Sequence, residues 1–194
     1  MNKKVLLSVF TALCCNAVSQ AQEKGTSDLS VSVGVATSTE LSNLFTDVLA
    51  EVLTDGGIYA RDLKSGSTFG LTYRYAVADR LMVHADVFYQ KMSQDIYVGD
   101  TKNGHLDYTY LTFGLGADYR YISKSMFQMY SGVAVAYSSE SIKSSSSAKA
   151  PDGTGFFNYH VTAAGFRVGK TFAFFGEVGF GYKGIASAGL SYQF

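Results

Sequence analysis

The chain is 194 residues long, with 16 basic and 16 acidic residues, 14 Tyr, 14 Phe, 20 Gly, no Trp and two Cys. Apolar residues make up 47% of it, yet after residue 21 no apolar run reaches the eighteen residues a transmembrane helix needs, so that mode of crossing is excluded. The charges balance and no basic run suggests a nucleic-acid partner.

At the N-terminus, Lys3 and Lys4 precede an apolar run from Val5 to Val18, and Ser19-Gln20-Ala21 supplies small residues at the −3 and −1 positions of a cleavage site. This pattern predicts a secretory signal peptide over residues 1–21, followed by one domain over 22–194. Cys14 and Cys15 both fall in the leader, and Leu13 stands where the residue before a lipidated Cys is normally small. The mature domain therefore has no disulfide and no thiolate metal site.

The first predicted strand, Leu29 to Ala36, alternates Leu29, Val31, Val33 and Val35 with small or polar residues. A connection over 37–67 follows. Within it Leu41, Leu44, Phe45, Val48, Leu49, Val52 and Leu53 recur at helical spacing, which predicts one amphipathic helix over about 40–54. Ser38 and Thr39 are its candidate caps, and Asp55-Gly56-Gly57 its stop. The second strand, Thr68 to Val77, and the third, from Leu81, are joined by a tight turn at Ala78-Asp79-Arg80. Phe69, Leu71, Tyr73, Tyr75, Leu81, Val83, Val87 and Tyr89 share one side of this hairpin. A loop over 95–105 leads to a fourth strand from about Leu106 to Tyr121. After a turn at 122–126 a fifth runs from Phe127 to Tyr137.

The serine-rich stretch 138–155 contains the single proline, Pro151, and reads as a loop. The sixth strand, Phe156 to Val168, changes parity: Tyr159 and Val161 suggest one face, Phe166 and Val168 the other. A bulge near Ala163-Ala164-Gly165 reconciles them. The seventh puts Phe172, Phe174, Val178, Phe180 and Tyr182 on one face. Lys183-Gly184-Ile185 then turns into the last strand, Ala186 to Phe194.

Eight strands, an even number, with connections that alternate long and short, predict an all-β fold: an eight-stranded antiparallel transmembrane up-and-down β-barrel with the helix in its first long outer loop. Two groups of aromatics fit interfacial girdles. Tyr119, Tyr121, Phe127, Phe172, Tyr192 and Phe194 lie near the short turns; Tyr89, Tyr108, Tyr137, Tyr159 and Tyr182 lie near the long loops.

Leu190, Tyr192 and Phe194 resemble the terminal signal of bacterial outer-membrane β-barrels, in which a C-terminal Phe follows alternating apolar residues. With Val178-Gly179-Phe180-Gly181-Tyr182-Lys183-Gly184 feeding the last strand, the chain resembles the small outer-membrane β-barrel family common in Bacteroidota. The resemblance implies recognition by the barrel assembly machinery, outer-membrane lipid around the belt, and both termini in the periplasm of a Gram-negative envelope. It implies no cofactor and little chemistry.

Interior parity assigns Arg74, His84, Asp86, Asp118, Arg120, Arg167 and Glu177 to the lumen, with Met82, Phe88, Tyr110, Tyr130 and Phe175. Arg74 should oppose His84 and lie diagonal to Asp86. Eight strands leave a lumen just wide enough for side chains to fill, so these groups predict a structural plug of paired charges. The functional expectation is a non-catalytic envelope barrel anchoring surface loops for an extracellular partner. A narrow pore or small-solute channel is the alternative. A lipid-modifying enzyme is a third reading, because His160-Val161-Thr162 partly resembles the lipid-facing His-x-Ser pair of an outer-membrane lipid A deacylase; Thr replaces Ser and no Glu is suitably placed. His84, His105 and His160 lack metal-ligand spacing. Asp95, Asp100 and Asp107 could bind calcium only if the second long loop gathers them.

Overall fold

A computed structural model describes residues 24–42, 58–98, 101–144 and 153–194. Eight strands follow in order: β1 (Ser27–Val35), β2 (Ile58–Ala78), β3 (Leu81–Val98), β4 (Thr101–Ser123), β5 (Phe127–Ser144), β6 (Gly155–Gly169), β7 (Phe172–Gly181) and β8 (Ala186–Gln193). Each pairs antiparallel with its sequence neighbours. β1 pairs with β8, from Asp28 opposite Gln193 to Val35 opposite Ala186, and this closes the barrel. Closure matters energetically, since an open sheet in lipid would leave a row of unpaired backbone groups.

The alternation read from the sequence becomes an inside and an outside. Leu71, Leu115, Val135, Val178 and Leu190 all point away from the barrel, Leu115 and Val135 with 66% and 69% of their surface free. The interior holds Met82, Phe88, Tyr110, Tyr130 and Phe175, all buried. Phe88 lies directly across from Gly70 in register, and its ring occupies the volume a side chain at Gly70 would fill. A water-soluble barrel has the opposite arrangement, with its apolar residues inside. Aromatics ring both ends of the belt. Phe172 packs 4.9 Å from Tyr192, which stacks 5.6 Å from Phe194; at the other end Tyr137 meets Phe157 at 5.6 Å and Tyr159 meets Phe180 at 6.2 Å.

The predicted bulge is present on β6. Tyr130 opposes Gly165 and Gly132 opposes Thr162, so one β5 residue, Ser131, faces two on β6. Ser131 Oγ donates a 2.7 Å hydrogen bond to the Ala163 carbonyl at this point. The extra residue switches the outward set from Tyr159 and Val161 to Phe166 and Val168 while keeping all four out.

Four strands are much longer than predicted. β2, β3, β4 and β5 have 21, 18, 23 and 18 residues, against nine, ten and eight for β1, β7 and β8. About 9–11 residues suffice to cross a bilayer. The expected loop 95–105 is instead the tip of a continuous β3–β4 hairpin, in which Asp95 opposes His105 and Val98 opposes Thr101. Likewise β2 begins at Ile58, within the expected 37–67 connection, and β5 continues through Ser144 into the expected serine loop. The apolar-out pattern stops at Tyr89 on β3, Leu111 on β4 and Tyr137 on β5, with Tyr89 opposite Leu111. Above that level the exposed positions on these three strands, among the described residues, are Lys91, Asp107, Ser139, Ser141 and Lys143. Backbone pairing continues past the apolar belt as a four-stranded sheet.

Two expected girdle residues point inward. Tyr108 shares a face with Tyr110, stacked at 6.4 Å, and its hydroxyl donates to Gln94 Oε1 at 3.4 Å. Tyr182 is buried because Gly181, at φ +139°, ends the strand and breaks its alternation, so the next side chain turns into the lumen. The turn into β8 thus comprises Tyr182 to Ile185.

Most of the predicted helix 40–54 lies outside the described residues. Its start is described: a helical turn over Ser38–Ser42 follows Ala36, which has a positive φ of 56°. Thr37 is the N-cap, in place of Ser38 or Thr39. Its Oγ1 accepts from the Glu40 amide and its own amide donates to Glu40 Oε2, both at 3.3 Å, a reciprocal capping box.

Candidate functional site: the lumen

The polar inward residues converge on two linked clusters. The first is built around Arg74, a buried side chain on β2. Its Nε donates to Asp118 Oδ2 at 3.0 Å, its Nη2 to Glu177 Oε1 at 2.7 Å and its Nη1 to Ser30 Oγ at 2.8 Å, which joins β2 to β4, β7 and β1 across the lumen. The guanidinium carbon lies 5.7 and 5.6 Å from the ring centres of Tyr130 and Phe175. Tyr130 also donates its hydroxyl to Glu177 Oε1 at 2.7 Å. A planar fork of donors clamped between two carboxylates and two rings has one geometry, which rigidifies the plug.

The second cluster surrounds Asp86 on β3. Its Oδ1 accepts from Thr72 Oγ1 at 2.7 Å, and its Oδ2 accepts from the Tyr182 hydroxyl at 2.5 Å and lies 3.0 Å from Lys183 Nζ. His84 links the clusters, with Nδ1 3.2 Å from Asp86 Oδ2 and Nε2 3.6 Å from Asp118 Oδ1. The Nδ1 contact is close but lacks hydrogen-bond alignment.

Nearer the short turns, Arg167 Nε reaches Asp28 Oδ2 at 3.1 Å and Ser191 Oγ at 2.8 Å, and its Nη2 donates to the Lys170 carbonyl at 2.8 Å. This ties β6 to the β1–β8 closure. At the opposite end, Thr37 Oγ1 donates to Gln90 Oε1 at 3.0 Å and Ser38 Oγ to Asn158 Oδ1 at 3.4 Å. These contacts bring the chain leaving β1 inward over the mouth.

All seven sequence-predicted lumen residues, Arg74, His84, Asp86, Asp118, Arg120, Arg167 and Glu177, are buried inside the barrel. Arg74 opposes His84 in register as predicted, but its guanidinium pairs with Asp118 and Glu177, not with Asp86. The reason is reach. A long side chain directed across a closed lumen meets strands that are distant in sequence, while the shorter His84 and Asp86 meet each other on β3.

Sequence reasoning missed Asp28, Tyr182 and Lys183. Asp28 sits one residue before the predicted start of β1, and its parity with Ser30 and Ser32 was the available signal. Continuing the parity of Phe180 puts Tyr182 outward, which the break at Gly181 overturns, and Lys183 lies in the turn, where alternation assigns no face.

His160 and Thr162 both face the lumen, and the His160 ring packs 5.6 Å from Tyr182. Glu177 is committed to Arg74 and Tyr130. The lipid-facing arrangement of a deacylase is therefore not formed by these residues. The loop that was to gather the calcium-binding aspartates is absent as such: Asp95 and Asp107 belong to β3 and β4, and Asp100 lies outside the described residues. Among the described residues no group of three or more His, Cys, Asp or Glu side chains is placed to hold a metal ion.

Closure, an apolar exterior and a polar, side-chain-filled interior together define an eight-stranded β-barrel of the outer-membrane type. No family model and no curated protein sequence matches the chain. Solved structures similar to it include the attachment invasion locus protein of Yersinia pestis, at 14% identity and a TM-score of 0.47, covering 88% of this chain and 99% of that one. The outer membrane protein OprG from Pseudomonas aeruginosa is 12% identical with a TM-score of 0.48, covering 90% and 98%. The N-terminal β-barrel domain of OprF from the same organism is 12% identical with a TM-score of 0.43, covering 89% and 100%.

Proposed function

We propose that this protein is a non-catalytic integral barrel of the Gram-negative outer membrane that holds surface hairpins for an extracellular partner. The observation that carries the reading is the lumen. Arg74, Asp118 and Glu177 meet across it, with Tyr130 and Phe175 against the guanidinium, where a channel would need open, hydrated space. The projecting β2–β5 sheet supports a surface role, because its exposed Lys91, Asp107 and Lys143 belong in water.

In this reading residues 1–21 are removed on export and 22–194 form the barrel, with both termini periplasmic and the long hairpins outside. Outer-membrane lipid surrounds the apolar belt. Leu190, Tyr192 and Phe194 present the signal read by the barrel assembly machinery, and membership of the Bacteroidota-type family rests on these residues and on the 178–184 segment. The protein needs no cofactor.

Two measurements test the reading. Purified protein in a planar bilayer should give no stable unitary conductance steps, and intact cells treated with protease should lose the 99–100 and 145–152 connections. Stable steps from wild-type protein would make it a pore. Full protection of both connections in intact cells, with cleavage after envelope disruption, would reverse the orientation.

A further inference from the structure

Charge is spread unevenly around the short-turn rim of the barrel. The Ala78–Arg80 turn sets Asp79 beside Arg80, and Lys24 lies next to it because the Gly25 amide donates to the Ala76 carbonyl at 2.9 Å. The next two turns round the rim, 123–126 and 169–171, carry Lys124 and Lys170 and no Asp or Glu. These two turns are neighbours: Phe127 opposes Val168 in register, and the Gly169 amide donates to the Met126 carbonyl at 3.0 Å. The terminal carboxylate lies beyond them, where Phe194 pairs with Ser27.

Lys124-Ser125-Met126 and Lys170-Thr171-Phe172 share one pattern, a cation followed after one small polar residue by an apolar side chain. Both turns are held from within. The buried Arg167 guanidinium donates to the carbonyls of Gly169, Lys170 and Thr171 at 3.3, 2.8 and 3.4 Å, which fixes the backbone that carries Lys170. The Lys124 amide closes its own turn on the Phe127 carbonyl at 3.0 Å. Met126 and Phe172 leave 53% and 77% of their surface free, and the Phe172 ring packs on Tyr192 at 4.9 Å. Ammonium groups at the edge of an exposed apolar and aromatic surface match a lipid, with phosphate at the level of the charges and acyl chain along the side chains.

We propose that these paired turns form a binding site for an anionic phospholipid of the adjacent leaflet, with Lys124 and Lys170 on its headgroup phosphate and Met126 and Phe172 against its acyl chains. The site rests on the membrane reading given above, and lies at the foot of the β5–β6 pair. Lysine suits it as a point charge, which binds phosphate without demanding a bidentate geometry. A free phosphate would engage the charges alone and leave Met126 and Phe172 in water; a lipid satisfies both.

The test reconstitutes the whole barrel in phosphatidylcholine bilayers and compares spin-labelled phosphatidylglycerol with spin-labelled phosphatidylcholine by electron paramagnetic resonance. Wild-type protein should immobilise phosphatidylglycerol with about twofold preference, since a cation near the surface contributes about fivefold at its own site and the signal averages over all lipids around the belt. Lys124→Gln combined with Lys170→Gln should abolish the preference, whereas Arg80→Gln, in the turn that also carries Asp79, should keep it. Heat-modifiable gel mobility confirms that each variant is folded. No preference in wild type, a preference that survives the double substitution, or one lost as fully in Arg80→Gln would overturn the site. Failure to immobilise either lipid would refute the membrane reading itself, and the site with it.

Discussion

Removing the guanidinium at position 74 should do more damage than removing the guanidinium and its carboxylate partners together. Arg74→Met keeps the length of the side chain and some packing against Tyr130 and Phe175, but strands two buried carboxylates. Breaking a buried pair by deleting one partner costs about 3–5 kcal/mol, chiefly as the burden of an uncompensated charge. Two carboxylates are affected here, which pushes the figure up. Against that, Glu177 keeps the Tyr130 hydroxyl and Asp118 keeps His84 Nε2 at 3.6 Å, which pulls it back, so about 4 kcal/mol is the working value. Adding Glu177→Gln and Asp118→Asn to Arg74→Met removes the stranded charge, and the triple variant should recover to within about 2 kcal/mol of wild type. Urea unfolding in lipid vesicles supplies the measurement. The chain has no tryptophan but 14 tyrosines, so tyrosine emission and heat-modifiable gel mobility are the readouts. A single variant as stable as wild type, within about 0.5 kcal/mol, would show that the lumen network carries no net weight.

Leu115→Arg, at the middle of the apolar belt, should cost about 2–4 kcal/mol in the same assay, whereas Ser139→Arg, above Tyr137, should cost about 0–1; equal penalties would misplace the lipid boundary. Replacing Tyr192 and Phe194 with Ser removes an aromatic pair 5.6 Å apart and should reduce the amount of protein reaching the membrane, as quantified on intact cells. Unchanged surface levels would separate the last strand from assembly. Thr37→Ala abolishes the capping box and the bond to Gln90, and should destabilise the helical turn by about 1 kcal/mol. Hydrogen exchange at the Leu41 amide, which donates to the Thr37 carbonyl at 3.0 Å, should report this directly, and unchanged exchange would place the stability of that turn elsewhere.

The outward face of the barrel was legible because lipid imposes a period of two on every strand it touches. The change of parity between Val161 and Phe166 even located the bulge near Ala163-Ala164-Gly165. The same rule explains the misreading of β2–β5. Past Tyr89 and Leu111 the outward face meets water and carries polar residues such as Lys91 and Asp107, so the hydrophobic alternation ends and a strand there looks like a polar loop. The inward positions of Arg74, Asp118, Glu177 and Arg167 were legible one strand at a time. Their mutual contacts were not, because they depend on the curvature that brings β2 against β7 and β1 against β6. Tyr182 and Lys183 escaped because Gly181 resets the chain direction just before them. The parity that carries Phe180 outward therefore misplaces Tyr182, and Lys183 in the turn has none to read.

The unequal strand lengths have a consequence for how such a protein can vary. Above Tyr89 and Leu111, the β3–β4 hairpin is a ladder of matched pairs as far as Ile96 opposite Gly104, above which the register shifts by one residue near the tip. Residues can be added or deleted there two at a time on each strand without rotating a single lipid-facing side chain beneath. An odd change would reverse the faces of the emergent segment, presenting Met92 and Tyr110 to water in place of Lys91 and Thr109. Size variation in this half of the molecule should therefore be quantised in even steps. β7 and β8 lack such a register to extend, and the Tyr182–Ile185 turn between them, anchored through Lys183 to Asp86, should tolerate almost no change in length.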